Sequence, residues 1–204
     1  MSTERKRRYT LEEYLALEQS SNERYEYWDG EVFCMSGASE SHAQIEGNIY
    51  LAFRLGLRGR ECRVFPANMR IRVPSHPPYR YADVSALCGR ATFEQVGGVD
   101  VLINPELIVE VLSDSTEAYD RGDKFTHYKS IPTFTEYLLV AQRRAHITHY
   151  WKQNDGAWSY EEINDLSARV LLLSLDCGLD LSEVYQDVTF PVGPPSGLGE
   201  PHSG

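Results

Sequence analysis

Two carboxylates stand in stretches that otherwise read as buried β-strand. Leu107, Ile108, Val109, Val111 and Leu112 put apolar side chains at both parities, the pattern of a strand covered on both faces, and Glu110 sits in the middle of them. Asp83 repeats the arrangement beside Val84, Ala86 and Leu87. A carboxylate in such a place is costly to desolvate unless a cation or hydrogen-bond donors compensate it. Downstream, Ser113-Asp-Ser-Thr116 supplies turn and cap chemistry for a predicted helix over 116–130, which carries Asp120, Lys124 and Tyr128 at four-residue spacing. Two strand acids followed by a helix-borne lysine are what a metal-dependent phosphodiesterase needs. The acids offer hard oxygen ligands to Mg²⁺, or alternatively Mn²⁺, and the ammonium can hold an attacking water or the negative charge that develops on phosphorus.

The plain alternative is structural. Asp83 and Glu110 could lie on edge strands facing water, and Asp120 with Lys124 could be a surface ion pair worth about 0.3–0.5 kcal/mol. Lysine usage tilts the balance slightly, because Lys6, Lys124, Lys129 and Lys152 are the only lysines and two of them fall in this helix. Other chemistries lose their support. His146 and His149 lie three apart on a predicted strand and so face opposite sides. There is no His-Glu-x-x-His, no Gly-x-Ser-x-Gly and no phosphate-cradling glycine loop.

The elements that must position these groups follow from local pattern. Thr10-Leu-Glu-Glu13 is a capping box with Tyr9 and Tyr14 placed as a staple, predicting a helix over 11–18. Residues 25–28 and 31–35 flank Asp29-Gly30, the dipeptide of a tight hairpin turn. Ser41 and Gln44 are placed to cap a second helix reaching about residue 58, on which Ile45, Ile49, Phe53 and Leu57 share a face. A strand is expected over 64–73, where alternation sets Arg70 and Arg72 on one side, facing solvent or phosphate. Prolines 74, 77 and 78 end it, and residues 81–88 form the strand of Asp83. Residues 92–103 read as a loop with a short helix. Beyond the lysine helix, strands are expected over 134–141 and 170–175, a hairpin over 146–152 and 157–163 around Asn154-Asp-Gly156, and a short helix from Asp180 to Glu183. The order suits an α/β chain, a mixed sheet flanked by helices with antiparallel hairpins at its edges.

With 204 residues and 42% hydrophobic content, one sizeable core is expected, a single domain over 9–190. The basic run Arg5-Lys-Arg-Arg8 lies in an N-terminal tail over 1–8, and residues 193–204 have the composition of a disordered C-terminal tail. A net charge of -10 argues against coating nucleic acid through bulk positive charge. Cys34, Cys62, Cys88 and Cys177 show no Cys-x-x-Cys spacing, so reduced thiols are expected in a soluble cytoplasmic protein, with no signal core and no membrane span.

At these residues the sequence resembles the Uma-type restriction endonuclease family, a branch of the PD-(D/E)xK nuclease-like superfamily. The resemblance runs from about Tyr9 to Phe190. It rests on Tyr9-Thr-Leu-Glu-Glu-Tyr14, Tyr25-Glu-Tyr-Trp-Asp-Gly-Glu-Val32 with Met35-Ser36, His42, Ala82-Asp-Val84, and Pro105-Glu-Leu-Ile-Val-Glu-Val-Leu-Ser113 with Asp120, Lys124 and Tyr128. It implies a restriction-endonuclease-like core and Mg²⁺-dependent hydrolysis of nucleic-acid phosphodiester bonds, DNA first, by metal-associated water. Carried over, the metal-binding acids are Asp83 and Glu110 and the catalytic lysine is Lys124. Two positions depart from the motif: Ala82 stands where the superfamily has proline, and Leu112 stands where its lysine falls, so the lysine must come from the helix.

Glu26 is a candidate outer acid and Asp120 an accessory group, and His42 either touches the cleft or caps the second helix. By analogy with folds that cut two strands, a homodimer is expected. The rivals are a catalytically inactive nuclease-fold interaction module and a hydrolase of small phosphoesters.

Overall fold

The computed structural model describes residues 7–28, 30–35 and 37–191. The expectations for Arg5 and Lys6, for Asp29 in the first turn, for Ser36 and for the tail over 193–204 lie outside these residues. In chain order the elements begin with α1 (Leu11–Ser20), β1 (Tyr25–Trp28), β2 (Glu31–Cys34) and α2 (Glu40–Gly56). Then come β3 (Cys62–Pro66), β4 (Arg70–Ile71), β5 (Arg80–Tyr81), β6 (Val84–Cys88), β7 (Phe93–Val96), β8 (Val99–Leu102) and β9 (Leu107–Leu112). A helical segment follows, built from α3 (Glu117–Tyr119), a π-helical turn (Asp120–Lys124) and α4 (Phe125–Tyr128). The chain closes with β10 (Glu136–Ala141), β11 (Ile147–Lys152), β12 (Trp158–Ile163), β13 (Arg169–Leu172), β14 (Cys177–Asp180) and α5 (Leu181–Val184).

The central sheet has six strands in the order β12-β11-β10-β9-β6-β3. Only β9 and β10 in it run parallel; its other pairs are antiparallel. A second sheet of four strands has the order β5-β4-β8-β7, and β1-β2 and β13-β14 are separate hairpins. The apolar run around Glu110 is therefore a central strand, and its period of two divides the core. Leu107, Val109 and Val111 pack with Ile45, Ile49 and Phe53 of α2 on one face. Ile108 and Leu112 pack with Phe125, Tyr128 and Tyr137 on the other. Glu110 has the parity of that second face, which the segment from α3 to α4 covers. Among the described residues no helix is long and apolar enough to cross a membrane.

Several local expectations are corrected. The cap of α2 is Ser39, whose hydroxyl accepts from the His42 amide, so the helix starts earlier than Ser41 allows. The expected strand over 64–73 is two strands in different sheets, because the chain turns after Pro66 and β4 pairs with β5 and β8. Residues 92–103 hold the hairpin β7-β8, with Gly97 and Gly98 both at positive φ in its turn. Cys62 and Cys88 are not reduced thiols but a disulfide. The register of β3 on β6 sets them directly opposite each other, a neighbourhood that their separation of 26 residues does not reveal. Cys34 and Cys177 are free.

An acid at the end of α1 helps tie the N-terminal layer to the second sheet. Glu18, at the end of α1, accepts from the Tyr25 amide at 2.6 Å, the Arg70 guanidinium at 2.6 Å, and the hydroxyls of Tyr79 and Tyr81 at 3.1 and 3.0 Å. Its side chain is 3% exposed, so removing it leaves Arg70 without its charge partner. Glu18→Ala is expected to cost about 3–5 kcal/mol, read as a lower urea midpoint with the slope unchanged.

Candidate active site

Lys124 is inside the protein. Its side chain is 6% exposed, and Nζ lies 2.9 Å from Glu110 Oε1, 3.6 Å from Asp120 Oδ1 and 3.9 Å from Glu26 Oε1. The first of these is a charge-assisted hydrogen bond, while the other two act through Coulomb attraction. Tyr128 completes the seat of Glu110 by donating its hydroxyl to the same oxygen at 2.9 Å. In a continuous α-helix, residues four apart drift by about 40° per step. The wider π turn at Asp120–Lys124 lessens that drift and keeps Asp120, Lys124 and Tyr128 against the sheet. The surface ion pair weighed from sequence is thus a buried network.

Asp83 is positioned differently. It stands in the bend between β5 and β6, where the chain passes from one sheet to the other, rather than inside a strand. That departure from the expected strand frees its carboxylate from strict alternation. One oxygen accepts from the Val111 amide at 2.6 Å, directly after Glu110 in the chain, and the other is 3.2 Å from His42 Nε2. Asp83 therefore lies at the strand end, between the helix that bears His42 and the strand that bears Glu110.

Glu46 was not singled out from sequence. It falls one helical turn after His42 on α2, and one ligand atom from each of His42, Glu46 and Asp83 lies within 4.8 Å of the others. The available signal was a histidine and a glutamate at i, i+4 near the start of a helix. Its proximity to Asp83 depends on where the β5–β6 bend docks, which no local pattern encodes.

The electrostatics of the cluster are those of crowded acids. Burial pushes the Glu110 carboxyl well above the usual carboxylate range; Lys124 works against this and the charges of Asp120 and Asp83 add to it. Burial also raises Asp120, again opposed by Lys124, and raises Glu46, where Asp83 adds its repulsion. Burial works to lower Lys124 and His42, yet their acidic neighbours outweigh it and hold both above their ordinary values. Lys124 is accordingly an ammonium across the physiological range. The carboxylates of Glu26, Glu46, Asp83, Glu110 and Asp120 outnumber the cationic partners they share, so a divalent cation fits this donor set by charge and by its hard oxygens. Among the described residues, the ligand atoms that converge within 4.8 Å are those of His42, Glu46 and Asp83.

The remaining candidates separate. Glu26 joins the cluster, accepting from the Tyr81 amide at 3.0 Å as well as facing Lys124. Arg70 is bound to Glu18, and Arg72 pairs with Glu94 at 3.1 Å, so both guanidinium groups serve internal contacts. His146 and His149 have separate partners: His146 meets Asn164 and Thr148, and His149 meets Glu136 and Glu161.

Residues 11–183 match the family Uma2, described as "Putative restriction endonuclease". Among curated relatives, the uncharacterized protein slr1290 of Synechocystis sp. (strain ATCC 27184 / PCC 6803 / Kazusa) is 34% identical over 182 residues, covering 88% of this chain and 92% of its own. The uncharacterized protein sll1609 of the same organism is 32% identical over 161 residues, covering 79% and 90%. A crystal structure described as a "putative nuclease belonging to DUF820", from Anabaena variabilis ATCC 29413, superposes with a TM-score of 0.70 at 18% identity, covering 87% of this chain and 97% of that one. At that identity the superposition speaks to the fold. The extent of the family match and the identity to both relatives place this chain in the Uma2 restriction endonuclease family, on a mixed-sheet nuclease-like fold.

Proposed function

We propose that this chain is a divalent-cation-dependent endonuclease that hydrolyses phosphodiester bonds of nucleic acid, DNA in the first instance. The observation that carries the reading is the buried Glu110–Lys124 contact at 2.9 Å with the Asp83 carboxylate anchored on the next amide of the same strand. A stability role explains this poorly, since a buried ion pair is on balance no better than apolar packing, and here it is surrounded by further acids.

Asp83 and Glu110 are the residues that would hold the cation. When bound, such an ion polarises a phosphoryl oxygen and makes water a stronger nucleophile. Val111 fixes one oxygen of Asp83, and Tyr128 with Lys124 fixes one oxygen of Glu110, so both carboxylates are oriented before substrate arrives. The Lys124 ammonium lies at the same carboxylate and supplies positive charge where negative charge grows on the phosphate. The surrounding core excludes bulk water, which strengthens that interaction.

The test is cleavage of supercoiled plasmid and of labelled oligonucleotide in Mg²⁺ or Mn²⁺, against the same protein in chelator. Cleavage that stops with chelation and returns with added ion is expected; cleavage indifferent to chelation refutes the reading. Protons and cation compete for the raised carboxyls of Glu110, Asp120 and Glu46. Affinity for Mn²⁺ should therefore climb as pH rises from about 5 towards 8, with protons released on binding. Calorimetry in two buffers of different ionisation enthalpy measures that release, and a pH-independent affinity would contradict it.

A further inference from the structure

The hairpin that delivers Glu26 to Lys124 also carries an aromatic wall. Glu26 and Trp28 share a parity on β1, and the register sets Phe33 opposite Glu26 and Glu31 opposite Trp28, so all four lie on one face of the hairpin. Trp28 stacks on Tyr119 with ring centroids 5.2 Å apart and meets His127 edge-on at 5.9 Å. His127 in turn stacks on His76 at 3.6 Å. Tyr119 directly precedes Asp120, and its phenol is raised by burial and by Glu26 while Arg80 and Lys124 oppose the rise, so this wall adjoins the acidic cluster. Trp28, Glu31, Phe33 and His76 line a pocket of about 360 Å³, within the range of ligand-holding clefts.

Behind the wall lie two buried polar side chains, Arg80 and His127. Arg80 is completely buried; its NH1 donates to the Tyr79 carbonyl, and its guanidinium bears on the Tyr119 phenol. His127 is 6% exposed, its ring in contact with those of His76 and Trp28. Burial, with His76 and Arg80 adding to it, pulls the His127 imidazole down to about 4, so it is neutral at physiological pH and presents an apolar ring face.

We propose that Trp28, Phe33 and His76 form a stacking subsite for an unpaired nucleobase next to the acidic cluster, which makes single-stranded nucleic acid the preferred substrate. This rests on the hydrolase reading for what happens to the strand, though not for how it is held. Stacking suits this chain better than a charge-based grip. The net charge is -10, and Arg70 and Arg72 are already paired with Glu18 and Glu94. An aromatic platform recognises any base through its ring face and is open only to bases that are not paired and stacked in a duplex.

The experiment uses the full chain in chelator, so that hydrolysis is silent, with fluorescein-labelled oligo-dA of roughly ten nucleotides and a duplex of equal length. The single strand is expected to bind more tightly than the duplex and to quench tryptophan emission. Trp28→Ala is expected to weaken single-strand binding about tenfold and leave duplex binding unchanged. Trp28→Phe, which keeps a ring, should retain most of the affinity and lose the quench, since Trp151 and Trp158 remain as unresponsive emitters. His76→Ala provides a second, smaller loss if Trp28→Ala fails to match the wild-type circular dichroism. Equal binding by the wild type and both alanine variants, or duplex bound as tightly as single strand, overturns the subsite. With Mg²⁺ restored, wild-type cleavage that Trp28→Ala leaves at the same KM refutes the subsite and keeps the hydrolase. Trp28-dependent binding without cleavage in Mg²⁺ or Mn²⁺ keeps the subsite and refutes the hydrolase.

Discussion

Glu110→Gln is expected to abolish measurable cleavage, a loss of at least about 10²–10³-fold, while the protein stays folded. The substitution preserves the shape of the side chain and its capacity to accept from Tyr128 and Lys124, whose contacts are both 2.9 Å. What it removes is the negative charge, the one property that a cation ligand needs and a structural acceptor does not. Asp83→Asn makes the same exchange at the second acid, where the Val111 amide still finds an acceptor. If both variants melt near the wild-type temperature and neither cleaves, the loss is chemical. A variant that cleaves at the wild-type rate would show that the carboxylate is a packing acceptor alone.

Lys124→Met should be the most destabilising change in the site, by about 3–5 kcal/mol at neutral pH. Methionine fills much of the volume of the lysine stem, so the cost is electrostatic: Glu110, Asp120 and Glu26 lose the ammonium that lies 2.9, 3.6 and 3.9 Å away. Its pH dependence has a definite sign. Glu110 and Asp120 already have folded values raised by burial, and without Lys124 they rise further. Groups with raised folded values contribute stability that is fully present below the unfolded carboxyl range, near 4, and lost as pH rises through the folded value. The deficit should therefore be small in mild acid and largest at neutral pH, measured by urea unfolding across that window. A deficit independent of pH would mean that lost packing, not stranded charge, sets the cost. Activity should fall as well, because the ammonium is the only cation in direct contact with Glu110 among the described residues.

What could be read from the sequence was whatever depends on neighbours along the chain. The capping box of α1, the first hairpin and the fully covered strand around Glu110 all follow from short-range pattern, and the structure has each of them. The four-residue spacing of Asp120, Lys124 and Tyr128 foretold that they share a face; it could not foretell the π turn that holds them there. Partners distant in sequence were not legible. Arg70 looked like a phosphate contact because alternation set it apart from the core, but Glu18, 52 residues earlier, claims it. Glu46 and Cys88 became visible only once the bend before β6 and the β3–β6 register were known. The β7-β8 hairpin differs in kind, since its turn signal, Gly97-Gly98, is present in the local sequence.

The chain is acidic, yet the proposed substrate is a polyanion. A net charge of -10 disfavours a polyanion, so under the proposed function attraction would come from local features: the Lys124 ammonium, the proposed cation and the aromatic wall. Each is a short-range device that high salt weakens little, and a shallow salt dependence of cleavage would accord with that.

The most direct measurement is anomalous diffraction from a crystal of this protein soaked in Mn²⁺. A peak is expected between carboxylate oxygens of both Asp83 and Glu110, at roughly 2.0–2.6 Å from each, and it should disappear in Glu110→Gln. A peak elsewhere, or none between those two side chains at saturating ion, would contradict the proposed site.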